Sequence, residues 1–505
     1  MMRTAEQQRT VIGTLKALGV SSYSISMHFI KLGVIVGMAG GIIGSLLGEL
    51  ISAEMTNLYR EMFSFPSLEN EFYPEIIAAA FAVSVFFSVL GTLRGIKKIV
   101  KLSPAEAMRP SPPATCGTIM LEKLTWIWQK IDFRWQMVLR GLFRNKVRTL
   151  IGIVTSALGS TILLLSLGFK DSLNYLIRFQ FEKVLTADYS INFREAIDGN
   201  ALREARTLPG VTYVEPGLDV ICFFHSGGYE KRGSITGIKP DSQLLHPRDN
   251  EGNCLRIPPI GLLMNSNLAK ILKVKVGDNI IFKPIKGDRK SVEVPIAGMA
   301  YSSVGMPVYA NYDYLNKLIN EVSVLTSIHL KAAQTPEEKR LFYREVKKYP
   351  ELGACNHMPE DKFKIERDFI SKMNNIVYVM ILFAGILFFG SVLNSALIST
   401  AERTREIATF RIIGYHAGEV GAIFLREILV VNFTGALFGL PIGYFLLDCM
   451  AEAFKNETFC MPVKIYNSTW CNTILLALFF MLIAYLMVKI VISKLRWVEA
   501  LQMRE

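Results

Sequence analysis

Apolar positions in this chain are gathered into long blocks rather than spread in the short alternations of a soluble domain. Six uncharged runs approach or exceed the roughly 20 residues a helix needs to cross a hydrocarbon core of about 30 Å. They are Leu32 to Gly48, Ile76 to Leu93, Thr149 to Phe169, Met373 to Ala401, Ile428 to Leu447 and Ile465 to Val488. The first is the shortest, but Lys31 can snorkel and Phe29 and Ile30 extend its buried length. Between the third and fourth runs lie 203 residues, Lys170 to Lys372, with a different pattern. Val211 to Val214, Val220 to Phe224 and Ser291 to Ile296 are rich in β-branched and aromatic residues and are separated by Gly, Pro and Asp turns. Leu268 to Phe282 reads as a helix, a Gly277-Asp278 turn and a strand. The fold class expected is therefore an α-helical membrane protein with six transmembrane helices plus an α+β extracytoplasmic domain inserted between spans three and four.

Composition agrees: hydrophobic residues make up 51% of the chain and charged ones only 20%, and the mean hydropathy is +0.31. Charge sets the orientation. From Arg94 to Arg148 there are twelve Lys and Arg against Glu106, Glu122 and Asp132, which marks that segment as cytoplasmic. The connection between the first two runs carries Arg60 against Glu49, Glu54, Glu61, Glu69, Glu71 and Glu75, and so lies outside. Both termini are then cytoplasmic, and the net charge of +12 follows from topology without a nucleic-acid partner. Residues 1 to 26 are polar and amphipathic and lack the apolar core of a signal peptide.

The membrane part is duplicated. An offset of 395 positions pairs Thr10–Gly19 (TVIGTLKALG) with Arg405–Gly414 (REIATFRIIG), matching Ile12 to Ile407, Thr14 to Thr409 and Gly19 to Gly414, with Lys16 against Arg411. Phe29 then meets Phe424, Lys31 meets Arg426, and Gly40, Gly44 and Gly48 fall on Gly435, Gly439 and Gly443. At an offset of 393, Glu106-Ala107 matches Glu499-Ala500. The expected organisation is a partial first membrane unit over residues 1–107, a linker and interfacial helix over 108–143, the first span of a second unit over 144–169, the extracytoplasmic domain over 170–372, and the rest of the second unit over 373–505. The first copy begins where the second is already near the end of its second span. The expectation is an N-terminally truncated form of a longer permease, with a half supplied by another subunit as the alternative.

Glu402 to Val420 (ERTREIATFRIIGYHAGEV) places Ile407, Phe410, Arg411 and Gly414 at helical spacing behind a charged start, as in a short amphipathic helix on the cytoplasmic face. This pattern, followed by a glycine-spaced span, resembles the FtsX-like, or MacB-like, permease family of ABC transporters, over nearly the whole chain. The resemblance implies that the helix is a coupling helix seated on an ATPase subunit, touching it through Arg405, Glu406, Thr409, Phe410, Arg411 and Gly414, and through Thr14, Leu15, Lys16 and Gly19 in the first copy. That copy departs from the pattern with Val11 where Glu406 stands. The resemblance also implies that Ser234 to Pro247 and Leu268 to Phe282 belong to a MacB-like core domain acting on substrate or on an extracytoplasmic adaptor or lipoprotein acceptor. ATP and magnesium would bind the partner ATPase and none of this chain's residues.

Gly33, Gly37 and Gly41, and separately Gly40, Gly44 and Gly48, recur every fourth residue, so two faces of one helix admit close backbone approach; Gly435, Gly439 and Gly443 repeat one of them. These are helix-packing positions, within the chain or between copies. Leu121 to Leu142 spaces Trp128 and Trp135 among apolar residues at steps of three and four, which predicts one interfacial helix, and Ser103 to Pro113, with four prolines, predicts a linker. No catalytic motif is found: GxxxxGK[ST], GxSxG and HExxH are absent. The six His are scattered, with no metal-ligand spacing. Cys460 and Cys471 share the last outside loop, as a disulfide or as free thiols.

The function expected is that of a non-catalytic permease subunit in a bacterial plasma or inner membrane. It would transmit the motion of an ATPase to the outside domain, to export or extract a lipid, lipoprotein, drug or peptide. The alternative is a signal relay that activates a cell-wall hydrolase or senses a peptide without transport.

Overall fold

The computed structural model describes residues 9–62, 71, 73–100, 103–105, 122, 125–144, 146–286, 290–333, 335–349, 351–402, 413–414, 417–456 and 459–493. Helices α1 (Arg9–Ala17), α2 (Ser22–Met62), α3 (Pro74–Val100), α4 (Thr125–Trp128), α5 (Phe133–Arg144) and α6 (Lys146–Arg178) come first. An α/β region follows, with β1 (Tyr189–Asp198), α7 (Ala201–Ala205), β2 (Val211–Ser226), β3 (Tyr229–Ile238), β4 (Leu262–Asn265), α8 (Ser266–Leu272), β5 (Asn279–Pro284) and β6 (Val292–Ala300). It continues through β7 (Val308–Asn311), α9 (Tyr312–Leu318), β8 (Val324–Ala332), α10 (Pro336–Val346), β9 (Leu352–His357) and α11 (Met358–Ile365). Three long helices close the chain: α12 (Ser371–Glu402), α13 (Ala417–Ala453) and α14 (Asn467–Ser493).

Among the described residues, six helices are long and apolar enough to cross a membrane, and nine strands fall between the third and fourth of them. The helices outrun the uncharged runs. Hydropathy marks only the lipid-facing stretch, whereas a helix continues until something stops it, so α2 extends over 41 residues, about 60 Å at 1.5 Å per residue. Within the described residues, the interfacial helix expected over Leu121 to Leu142 is broken over residues 129–132 into α4 and α5. Gln136 spans the break, its Nε2 donating to the carbonyls of Trp128 (2.9 Å) and Ile131 (3.1 Å). Most of the expected linker, Ser103 to Pro113, lies outside the described residues.

The chain forms two compact units, Met1–Thr155 with Phe389–Phe433 and Phe480–Glu505, and Ser156–Phe388 with Thr434–Phe479. In the first, α2 and α3 pack along glycines: a Cβ at Gly33, Gly37 or Gly41 would come within 2.5 Å of Thr92 Oγ1, 2.9 Å of Val85 Cα or 2.6 Å of the Phe81 ring. At these close approaches Ser88 Oγ donates to the Gly33 carbonyl (2.7 Å) and Ser84 Oγ to that of Gly37 (2.9 Å), which satisfies hydroxyls that lipid could not. In the same unit α5 lies against the start of α13 through Val138, Leu142 and Val431, with Arg426 over the Trp135 ring at 5.6 Å and Arg134 paired to Glu419 at 3.4 Å.

In the second unit the strands form two joined lobes. Strands β2, β3, β7, β4, β6 and β5 pair in that order and close on β2, a six-stranded barrel. Strands β2, β8, β1 and β9 form an antiparallel sheet. The sixteen-residue β2 serves both: Val211–Gly217 pairs with β8, and Leu218–Ser226 with β3. Val211 to Val214 and Val220 to Phe224 are thus one strand rather than two, because Pro216-Gly217 marks a change of partner and not a turn. Gly217 is required there, since a side chain would meet Ser327 Oγ and stand 3.1 Å from His329 Nε2. One core, including Phe224, Phe282, Leu330 and Phe342, fills both lobes. The helix, turn and strand expected over Leu268 to Phe282 are α8, Gly277 at φ +95° and β5. Asn265 and Asn311 cap α8 and α9 by the same device, each side chain accepting two backbone N–H groups.

Candidate coupling and packing sites

Helix α1 is nine residues long and could not persist alone in water. Ile12 anchors it, buried with Ile25 and Phe29 of α2 and Ile96 of α3. Lys16 Nζ donates to the Val100 carbonyl at 2.7 Å, satisfying an acceptor at the last turn of α3. The helix ends by the pair of bonds of a left-handed cap: Gly19 N–H donates to Lys16 O (3.1 Å) and Val20 N–H to Leu15 O (3.0 Å), with Gly19 at φ +87°. Anchor and cap hold the opposite face outward. Val11, Leu15 and Leu18 remain 53%, 38% and 80% exposed, and Thr14 lies among them, exposed.

Of the first-copy residues expected to meet a partner, Thr14, Leu15 and Gly19 are at the surface, whereas Lys16 reaches back to α3. Val11 and Leu18 complete the exposed face. Spacing could have found them, since positions 11, 15 and 18 share one helical side. In the second copy, Arg405, Glu406, Thr409, Phe410 and Arg411 lie outside the described residues. Gly414 is described at φ +107°, and Ile413, the counterpart of Leu18, is 68% exposed. The two copies therefore share a left-handed glycine preceded by an exposed aliphatic residue.

The glycine positions divide. Gly435, Gly439 and Gly443 are buried; a Cβ on Gly439 would collide with Ser160 Oγ and the Ala157 carbonyl of α6, and one on Gly443 would lie 3.1 Å from Leu164 Cβ. Across this contact Ser160 Oγ donates to the Ala436 carbonyl and Thr161 Oγ1 to that of Gly439, both at 3.0 Å. Gly40, Gly44 and Gly48 are exposed; a Cβ on Gly40 would have only Ser84 Oγ nearby, at 3.7 Å, and one on Gly44 or Gly48 would have nothing within 4 Å. Packing inside the first copy falls instead on Gly33, Gly37 and Gly41.

At the base of the α/β region the segment before α14 acts as a strap. Asp171 Oδ2 accepts from Tyr466 N–H (3.1 Å) and from Thr469 Oγ1 (2.5 Å), and Ser172 Oγ lies 3.2 Å from the Lys464 nitrogen. A few residues earlier, Cys460 N–H donates to the Ser303 carbonyl at 2.9 Å and Phe459 bridges to Val304. Lys362 pairs with Glu182 at 2.5 Å, joining α11 to the π-helical turn Phe179–Val184 that follows α6. Burial pushes the nearby Tyr301 phenol up to about 12. Cys460 and Cys471 are free thiols. Among the described residues no group of three His, Cys, Asp or Glu is placed to hold a metal ion.

Residues 1–104 and 376–500 match the family of the FtsX-like permease C-terminal domain. None of the curated proteins matches the sequence. Among solved structures, the periplasmic region of MacB from Actinobacillus actinomycetemcomitans aligns at 14% identity over 37% of this chain and 95% of its own, with a TM-score of 0.26. The extracellular domain of the ABC-type transporter YknZ from Gram-positive bacteria aligns at 10% identity over 34% of this chain and 98% of its own, with a TM-score of 0.24. Neither score establishes a shared fold.

Proposed function

With two membrane segments that belong to the FtsX-like permease family, we propose that this multi-pass membrane protein passes the motion of a separate cytoplasmic ATPase to an extracytoplasmic domain, as the membrane subunit of an ABC transporter. The observation that carries this reading is α1: a short helix locked to the ends of two long apolar helices by Ile12 and Lys16, with Val11, Leu15 and Leu18 facing outward. An exposed aliphatic row on a polar, fixed helix is a surface for a partner's groove. Push or pull on that row reaches α2 and α3 through packed side chains. In the second copy Phe410 and Ile413 stand at the corresponding positions.

ATP and magnesium belong to the partner in this reading, and the chain's own task is a two-state shift biased by the partner's nucleotide. Both termini and α1 are cytoplasmic, and the α/β region lies outside. The strap of Asp171, Ser172 and Cys460 would carry movement of α6 into that region. A lipophilic cargo, a lipid, lipoprotein, drug or peptide, is the class such a machine handles by moving an outer domain without an aqueous pore.

Co-purification of the tagged full chain with candidate ABC ATPases tests the contact. Leu15→Glu with Leu18→Glu, and Arg405→Glu with Phe410→Ala, should each lower ATPase recovery by about tenfold or more, as loss of a central anchor does. Unchanged recovery in both pairs would overturn the coupling role.

A further inference from the structure

Where the apolar stretch of α6 gives way to the α/β region, cations and phenols converge on one tyrosine. Tyr175 comes six residues after Phe169, the last of the uncharged run. That is about 9 Å along the helix, at the level of the headgroups that border a hydrocarbon core. Trp470, one turn past Tyr466 and stacked on Tyr444, is the kind of residue that marks this boundary.

Lys183 Nζ lies 5.7 Å and Lys464 Nζ 5.9 Å from the centre of the Tyr175 ring, both within cation–π range. The two lysines are exposed, and neither pairs with a carboxylate among the described residues. Arg248 acts on the same phenol. Its Nε donates to the Lys183 carbonyl at 2.9 Å and its Nη1 to the Gly252 carbonyl at 2.7 Å. Those bonds fix the guanidinium beside Tyr175, since a Cβ on Gly252 would stand 4.0 Å from Tyr175 Oη. They also leave its Nη2 with donors to spare. The Tyr175 and Tyr466 phenols influence each other, and neither makes a hydrogen bond among the described residues. The carboxylates of these segments accept elsewhere: Asp171 from Tyr466 N–H and Thr469, Glu182 from Lys362, and Asp249 and Glu251 from Asn253.

Two ammonium groups, a guanidinium and two phenols together are complementary to a small anion with several oxygens. Phosphate answers that description, and at headgroup depth the phosphate at hand belongs to lipid. We propose that Tyr175, Lys183, Arg248, Lys464 and Tyr466 hold the phosphate of one anionic phospholipid, with its acyl chains in the hydrocarbon beside α6. The lipid would tie the strap before α14 and the π-helical turn after α6 to the bilayer surface. This goes beyond the proposed function, since it requires neither an ATPase nor a cargo.

The delipidated full chain in a neutral detergent is titrated with phosphatidylglycerol, phosphatidylcholine or glycerol phosphate, and native mass spectrometry reads the binding constant of the first molecule bound. Phosphatidylglycerol should bind about tenfold more tightly than phosphatidylcholine, because several cations face its net negative charge. Lys183→Gln with Lys464→Gln should weaken it about tenfold, to the level of phosphatidylcholine. Lys455→Gln, just past α13 and paired with Glu452, should leave the preference intact. Equal constants for the two lipids, undiminished phosphatidylglycerol binding in the Lys183→Gln, Lys464→Gln chain, or an equal loss in Lys455→Gln overturns the proposal. Glycerol phosphate binding as tightly as phosphatidylglycerol would assign the site to a soluble phosphate and overturn it as stated.

Discussion

At the scale of single residues, the α/β region buries a histidine between two carboxylates. His329 stands on β8 opposite Glu215 on β2, with Gly217 and Asp219 further along the same face, and its Nδ1 is buried without a hydrogen-bond partner. Burial lowers its pKa, and the opposing pull of Asp219 and Glu215 does not restore it. Glu215 is itself buried and accepts from Ser242 Oγ and Gln243 N–H, both at 2.6 Å. The unfolded chain binds a proton near the ordinary His value of about 6.5, before the folded one does. Stability is therefore fully present above that pH and is lost as pH falls through it towards the lower folded value. Hydrogen exchange of residues 324–332 in the full chain, corrected for intrinsic rates, should accelerate between pH 7.5 and pH 5.5. In His329→Gln that acceleration should shrink; an identical acceleration would exclude His329 as its source.

At the scale of elements, glycine and hydroxyl pairs hold the membrane helices together. A side chain at Gly37 would stand 2.9 Å from Val85 Cα and 3.0 Å from Ser88 Cβ, and a backbone atom cannot yield as a flexible side-chain end can. Gly37→Leu should therefore cost about 1–3 kcal/mol, whereas Ser88→Ala, which removes one interhelical hydrogen bond, should cost about 0.6 kcal/mol. Gly44→Leu should leave the isolated chain unchanged. Midpoints of thermal unfolding in mild detergent would order the three variants, and equal midpoints for Gly37→Leu and Gly44→Leu would contradict the packing described. Both stripes were legible as four-residue spacings, but not which row a neighbour occupies, because α3 and α6 reach these glycines through contacts distant in sequence.

At the scale of the whole molecule, the orientation expected from charge places Leu18 and the α/β region on opposite sides of the membrane. Cys254 is exposed on that region. In a cysteine-free background, a membrane-impermeant maleimide added to intact cells, with any outer membrane permeabilised, should label a single Cys254 and spare Leu18→Cys until the cytoplasmic membrane is opened. Equal labelling of both from outside would defeat the orientation.

Local pattern by itself determined the six apolar helices of the described residues, because each depends on residues within a few turns of one another. The helix, turn and strand around Gly277 belong to the same class. Only the tertiary structure decided that β2 serves two sheets, that Lys16 reaches Val100, and that Ser160 and Thr161 sit on the glycine row of α13. Those outcomes rest on pairings between segments tens to hundreds of residues apart, where geometry rather than periodicity selects the partner.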